Sequence, residues 1–144
     1  MQIEPYLFFD GRCEEAVEFY KSALGAKVEM LMRVKDAPTP PPPGTLPPGS
    51  DNKVMHCSLD IGGARVMCSD GHASGNAVFK GFSLSLARPD AKQAKQTFDA
   101  IARGGGTVNM PLGETFWSPC FGMITDKFGV QWMITVPELK MGPK

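Results

Sequence analysis

The sequence predicts an α+β fold built from two βαβββ modules, and three observations support this prediction. Apolar periodicity gives the order strand, helix and three strands twice along the 144 residues. The segment Asp60–Met67 resembles the segment Asp126–Met133, which lies 66 residues later. The two helices match at a separation of 79 residues, where Phe, Ala and Gly recur in the same order. These matches indicate a duplication, although two unrelated hairpins with a common turn remain an alternative.

The first module opens with a short apolar strand over residues 5–9. Apolar residues then recur at helical spacing over 13–24, and Gly25 is placed to end that helix. The other strands of this module are predicted near 27–35, over 53–60 and over 64–70, the last two forming a hairpin at Ile61-Gly62-Gly63.

The second module repeats this order. Residues 79–87 alternate between apolar and polar side chains, which predicts a strand with Phe82, Leu84 and Leu86 on its helix-facing side. Asp90 is the expected N-cap of a helix that ends at Gly104. The remaining strands are predicted near 107–110, 117–125 and 130–136.

A proline-rich stretch interrupts the first module over residues 37–50. Seven of the eleven residues from Pro38 to Pro48 are proline, so the stretch is an extended loop rather than a helix or an inner strand. It is interpreted as a plain surface insertion, as a flap over a site, or as a recognition motif for a partner of SH3 type. The chain is thus expected to be one domain, 1–144, made of modules 1–76 and 77–138.

Composition excludes several classes of protein. Fifteen basic and fifteen acidic residues leave no basic excess for nucleic-acid binding. Apolar stretches of about five residues are too short to span a membrane, and the N-terminus lacks the features of a secretory signal. The four cysteines follow no zinc, redox or disulfide spacing. We therefore expect a cytoplasmic protein whose thiols are reduced and mostly buried.

Side chains alternate between the two faces of a strand, so the sequence predicts which of them point away from the helices. These side chains would line a cup on the other face of each sheet. In the last strand Val130, Trp132, Ile134 and Val136 form the core set. In the strand over 53–60, Met55, Cys57 and Leu59 form the equivalent set. The lining is then amphipathic and carries little charge: His56, Ser58, Arg65, Met67, Ser69, Ser83, Ser85, Gln131, Met133 and Thr135.

Three segments, Pro5–Ala26, Val54–Asp70 and Thr115–Ile134, give the chain a resemblance to a known family. They are similar to the PhnB-like branch of the vicinal oxygen chelate superfamily, which includes glyoxalase I, extradiol dioxygenases and antibiotic-sequestering resistance proteins. The resemblance implies paired βαβββ modules, a homodimer, and a site inside the cup.

Catalytic members of that superfamily hold a divalent metal on His, Gln or Glu side chains of the first and last strands of each module. By resemblance, these positions fall on Met67 and Met133, near Ser83, and near Pro5 or Tyr6. These side chains are poor ligands for such a cation. No cofactor is therefore expected, and a divalent metal is not expected either.

His56 is the best single candidate for chemistry, as an acid–base group or as a hydrogen-bond anchor, although a purely structural role stays open. Together with Asp70 and His72 it would form a non-standard metal site. Trp117 is either a packing residue or a stacking wall for a planar ligand.

Two functions follow from these candidates. The first is a homodimeric protein that binds a small molecule in the cup without the superfamily's metal, through His56, Arg65, Met67, Ser83, Ser85, Trp117, Gln131 and Met133. The second is a lyase or isomerase that acts on a carbonyl or phosphonate substrate with His56 as acid–base. The broader family sometimes carries a demethylubiquinone methyltransferase label, but the sequence has no GxGxxG after a strand to support it.

Overall fold

One strand, one helix and three strands occur in that order twice in residues 1–138, which the computed structural model describes. The chain divides into two compact units, one of residues Met1–Ala77 and one that begins at Val78. Among the described residues, no helix is long and apolar enough to cross a membrane. The elements are β1 Tyr6–Phe8, α1 Cys13–Leu24, β2 Lys27–Arg33, β3 Val54–Ile61, β4 Ala64–Ser69, β5 Leu84–Ala87, α2 Ala91–Arg103, β6 Thr107–Gly113, β7 Phe121–Thr125 and β8 Gln131–Thr135.

Each unit contains one four-stranded sheet with the same strand order. The first sheet runs β1-β4-β3-β2 and the second runs β5-β8-β7-β6. The first strand of each unit pairs in parallel with the last, and the other pairs are antiparallel. The predicted α+β fold of two βαβββ modules is confirmed.

The strand register confirms both sequence separations of the repeat. Tyr6 lies opposite Met67 in the first sheet, and Ser85 lies opposite Met133 in the second. Corresponding residues of the two units are thus 79 positions apart in the sequence for the first strands and 66 positions apart for the last strands. The strands before the final turn are only 65 apart, because Asp60 pairs with Arg65 while Thr125 pairs with Gln131. The second turn is therefore one residue longer than the first.

Both helices begin and end where the sequence predicts. Gly25 ends α1 with a φ of 68°, a left-handed conformation that glycine adopts without strain. The side chain of Asp90 accepts a hydrogen bond from the backbone N–H of Gln93 at 2.8 Å and caps α2. One helix packs on each sheet: α1 contacts β3, and α2 contacts β6, β7 and β8.

Alternation predicts the core face of β8 correctly, since Val130, Trp132, Ile134 and Val136 are all buried. The prediction is wrong for Phe82, which lies before β5 begins at Leu84 and is exposed. The strand predicted from residue 117 likewise begins only at Phe121.

Met55 departs from its predicted place because of a β-bulge. Met32 pairs with His56 and the next residue, Arg33, pairs with Val54, so Met55 is an extra residue in β3. Val54 therefore takes the buried position, and the Met55 side chain is 42 % exposed. The prediction that Met55 packs with Cys57 and Leu59 is wrong.

The four cysteines are free thiols and all are buried, as the sequence indicates. Cys57 and Cys68 lie opposite each other on β3 and β4. The hydrogen bond between their thiols, together with burial, raises the pKa of Cys57, and a hydrogen bond with Cys13 raises that of Cys68. These thiols stay protonated at neutral pH and belong to the core.

Neighbouring residues of β8 provide a test of this register. Trp132→Ala should cost about 3–5 kcal/mol, because it opens a cavity and removes the indole bond to buried Asp126. Met133→Glu should be tolerated far better, because Met133 is only part-buried and its replacement reaches water. Denaturant unfolding of both variants measures the difference. A result in which Met133→Glu unfolds the protein and Trp132→Ala does not would contradict the register.

Candidate functional site

Two aromatic side chains lie on the face of the first sheet opposite to its core. Leu7 and Phe9 point into the core and are almost fully buried. Tyr6 and Phe8 alternate with them, and their ring centroids are 5.0 Å apart with a tilt of 38°. Phe8 is 56 % exposed although every residue of β1 pairs with β4, so its ring lies at the surface of this face.

These two rings line a pocket of about 580 Å³ that lies wholly within the first unit. Most of its lining is apolar and comes from Tyr6, Phe8, Val34, Pro41, Leu46 and Met55. The polar part of the lining comes from Asp10, Thr45, Ser69, Gly71 and His72. The bulge at Met55 brings its thioether to this pocket.

The proline-rich stretch supplies one wall of the pocket through Pro41, Thr45 and Leu46. Its two ends are fixed to each other, because the backbone N–H of Val34 donates to the carbonyl of Lys53 at 2.9 Å. The guanidinium of Arg33 donates to the carbonyl of Asn52 and to the carboxylate of Glu14 on α1. The hydrogen bond from Arg33 lowers the pKa of Glu14, so this ion pair persists at neutral pH. The loop is therefore a fixed part of the first unit at its base.

His56 lies beside the pocket and contacts it through Tyr6. The Tyr6 Oη and His56 Nδ1 atoms are 2.9 Å apart. Burial raises the pKa of the Tyr6 phenol, against the opposing effect of a hydrogen bond with Ser69. The phenol is therefore protonated at neutral pH, and the tautomer of the His56 ring decides which of the two atoms donates the hydrogen bond.

Asp70 has a structural role, and the described residues do not bring it together with His56 and His72 as a metal site. Its carboxylate is buried and accepts hydrogen bonds from three backbone N–H groups, those of Gly11 at 2.9 Å, Cys13 at 2.8 Å and Val54 at 2.7 Å. Both oxygens are thus engaged. His72 is exposed at the pocket. Among residues 1–138, no group of three or more His, Cys, Asp or Glu side chains is placed to hold a metal ion.

Arg65 and Met67, the other predicted site residues of the first unit, lie on β4 beyond this pocket. The Arg65 guanidinium is 3.4 Å from Glu29 and 3.8 Å from Glu4, so its charge is compensated by two carboxylates. Met67 lies between Tyr6 on β1 and Ser58 on β3, on the same side of the sheet as Tyr6. Sequence alternation placed these side chains correctly off the core face.

Three of the remaining predicted residues lie on strands of the second unit, Ser85 on β5 and Gln131 and Met133 on β8, whereas Ser83 and Trp117 lie outside its strands. Ser85 lies beside Met133, and Gln131 is part-buried two residues before it. Trp117 stacks edge-on against Phe116 and Phe121, at centroid distances of 4.8 and 5.2 Å. Ser83 lies just before β5, so Ser85 rather than Ser83 is the residue that corresponds to Tyr6.

The four positions that the resemblance assigns to the superfamily's metal ligands carry side chains that do not fit a divalent metal. They carry the phenol of Tyr6, the hydroxyl of Ser85 and the thioethers of Met67 and Met133. Divalent cations of catalytic sites take imidazole, carboxylate or thiolate ligands. No metal-dependent step can be built on these residues.

Sequence reasoning missed Phe8, Asp10 and Leu46 as pocket residues. Alternation within Tyr6–Phe9 would have separated Tyr6 and Phe8 from the core pair. Leu46 is the one large apolar side chain among the prolines of the loop, which was a usable signal. Nothing in the local sequence marked Asp10, because it reads as an ordinary turn residue.

Comparison with known proteins identifies relatives over most of the chain. The model of the Glyoxalase/Bleomycin resistance protein/Dioxygenase superfamily matches residues 2–134. Protein YjdN of Escherichia coli is 38 % identical over 143 residues, which cover 94 % of this chain and 95 % of that protein.

Two solved structures share both fold and sequence with this chain. Protein PA1353 of Pseudomonas aeruginosa has a TM-score of 0.81 and 40 % identity, covering 95 % of this chain and 98 % of that one. The PhnB protein of Bacillus cereus, described as a candidate 3-demethylubiquinone-9 3-methyltransferase, has a TM-score of 0.75 and 28 % identity, covering 94 % and 99 % of the two chains.

Proposed function

The chain belongs to the Glyoxalase/Bleomycin resistance protein/Dioxygenase superfamily, and from that premise we propose that it binds a small, mainly apolar molecule without the superfamily's metal. The observation that carries this proposal is the pocket of about 580 Å³ in the first unit, with the Phe8 ring exposed in it. Pockets that bind small molecules have volumes of about 300–1,000 Å³, and apolar side chains with a few polar groups line them. This pocket has that size and that character.

Exposure of Phe8 supports a binding role on energetic grounds. Burial of apolar surface contributes about 25 cal/mol per Å², and an aromatic side chain is among the largest sources of it. Much of the apolar surface of Phe8 is not buried by the described residues. A ligand stacked on its ring would bury that surface and gain the corresponding free energy. The thioether of Met55 adapts its shape to such a ligand.

A second function, acid–base catalysis on a carbonyl or phosphonate substrate, is favoured by one observation. The hydrogen bond between Tyr6 and His56 joins a phenol that lines the pocket to an imidazole beside it. With a hydrogen on Nδ1 of His56, a proton that Tyr6 Oη donates to a substrate would be replaced from that nitrogen, so His56 would act through Tyr6. Loss of a turnover activity in Tyr6→Phe, with ligand affinity retained, would identify this function.

The predicted cup stays a prediction, as do the ligand-binding roles of His56, Arg65, Met67, Ser83, Ser85, Trp117, Gln131 and Met133. The cytoplasmic location and the homodimer are further proposals. Exposed apolar side chains support the homodimer: Val28 and Met30 lie on β2, which is an edge strand of the first sheet. Edge strands with apolar side chains are commonly covered by a second chain.

Removal of the Phe8 ring tests the pocket. Phe8→Ala should weaken binding of the uncharged dye Nile red about three- to tenfold, because it removes the stacking surface. Phe116→Ala is the matched control, since Phe116 is 94 % exposed in the second unit and lies outside the pocket. Dye fluorescence titrations compare the two variants with the unaltered protein. Equal affinities for all three would reject the pocket as the binding site.

Replacement of Pro38–Pro48 by a short Gly/Ser linker tests the role of the loop. The fold should survive at a cost of at most about 1–2 kcal/mol, since the segment lies outside both sheets. Dye binding should fall, because Pro41, Thr45 and Leu46 leave the pocket wall. Thermal unfolding and dye titration of the same variant measure both effects. Unchanged binding would show that the loop is a plain insertion or a partner motif, and global unfolding would place it in the core.

Native mass spectrometry with elemental analysis tests metal and assembly together. Protein purified without a His tag should carry no stoichiometric Zn, Mn, Fe or Ni, because Met67 and Met133 replace the expected carboxylates. The spectrum should show a dimer of the 15.6 kDa chain. One metal ion per chain that is lost in His56→Ala would contradict the metal-free proposal, and a monomer at micromolar concentration would contradict the homodimer.

A further inference from the structure

The charged groups of the pocket indicate which class of ligand it would bind. This inference rests on the proposed function. Among the described residues that line the pocket, Asp10 is the one carboxylate, and neither lysine nor arginine is present. Lys53 donates to the carbonyl of the neighbouring Gly11 but does not line the pocket. His72 is the lining residue that can gain a positive charge, and it is exposed. The lining therefore favours a positive or neutral ligand over an anion.

Asp10 holds its carboxylate in a fixed place. Its Oδ2 accepts a hydrogen bond from Ser74 Oγ at 2.7 Å, and its backbone carbonyl accepts one from the N–H of Gly75 at 2.7 Å. Its φ is 51°, a left-handed conformation that costs energy for a residue with a side chain. These two hydrogen bonds hold the Asp10 carboxylate in place. Glycine would adopt this backbone conformation with less strain, so the aspartate at this position is retained at an energetic cost.

The second oxygen of Asp10 lies beside the exposed aromatic ring. Oδ1 accepts no hydrogen bond from any of residues 1–138. A Cβ atom on Gly71 would lie 3.4 Å from this Oδ1 and 3.0 Å from Cδ1 of Phe8, so the oxygen and the ring flank the same point. Glycine at position 71 lets the ring and the carboxylate come this close together, because even a Cβ atom there would press on Phe8.

We infer that the pocket takes a planar aromatic cation, such as an aryl-substituted ammonium compound, and that Asp10 selects its charge. The faces of Phe8 and Tyr6 attract a cation through their negative quadrupole, and the free oxygen of Asp10 adds a full negative charge beside them. A phosphonate or carboxylate ligand would meet the same carboxylate and find no fixed cation to pair with.

Three naphthalene probes of similar size test this inference: naphthylmethylammonium, naphthylmethanol and naphthoate. Calorimetric titrations at one pH and one salt concentration compare the affinities of the three probes. The cation should bind about five- to tenfold more tightly than the alcohol, and the anion more weakly than either. Asp10→Asn should lower the affinity of the cation more than that of the alcohol, and so reduce the difference between these two probes.

Asn suits this substitution because it tolerates the left-handed conformation and keeps an oxygen for the Ser74 hydroxyl. Glu18→Gln is the matched control, since Glu18 is an exposed carboxylate on α1 that does not line the pocket. If Asp10→Asn fails to fold, the salt dependence of the unaltered protein replaces it. Raising NaCl from about 20 to about 500 mM should narrow the gap between cation and alcohol.

The outcomes separate this inference from the function on which it rests. Alcohol binding that Phe8→Ala weakens, with no preference for the cation, would overturn the inference and leave the pocket as a binding site. Preference for the anion would overturn it in favour of a phosphonate or carboxylate ligand. No binding of any probe would overturn both.

Discussion

The buried carboxylate of Asp70 holds the first unit in register. Its three backbone hydrogen bonds join the turn after β1, the first turn of α1 and the start of β3, which are far apart in the sequence. Hydrogen bonds to a buried charge are each worth about 1.5–3 kcal/mol, and loss of the acceptor would leave buried N–H groups without partners. The position of β1, and with it that of Tyr6 and Phe8, depends on this one side chain. In the second unit, buried Asp126 accepts from Phe128, Val130 and the Trp132 indole, and so fixes the turn before β8.

A rigid frame of this kind explains how the first unit can leave aromatic rings uncovered. The core face of the sheet is closed by α1 and supplies the stability, whereas Phe8 and Met55 remain exposed on the other face. The proline-rich loop adds a wall at low entropic cost, because proline restricts the unfolded chain as well as the folded one. A pocket with prearranged walls loses little conformational entropy when it binds a ligand.

The two units share the architecture of the superfamily, and the positions that the resemblance assigns to its metal ligands carry neither imidazole nor carboxylate in this chain. Their first and last strands pair with the same register, so the four ligand positions are preserved as places in the fold. The side chains at those places are now a phenol, a hydroxyl and two thioethers, which favour an apolar ligand over a cation of the kind that catalyses reactions. The duplication thus fixes the architecture, whereas the side chains at the equivalent positions determine the chemistry.

The sequence by itself determined the elements whose causes are local. The helix ends at Gly25 and Gly104, the cap at Asp90 and the alternation of β8 follow from backbone preference and periodicity over a few residues. Only the tertiary structure decided what depends on distant partners. The bulge that turns Met55 outward arises from pairing with β2, the three amides on Asp70 converge from separate segments, and Leu46 reaches Phe8's pocket across a loop. The sequence marks Leu46 as the one large apolar residue of its loop but does not place it. Each of these features is stabilised by a contact between residues that the sequence keeps far apart.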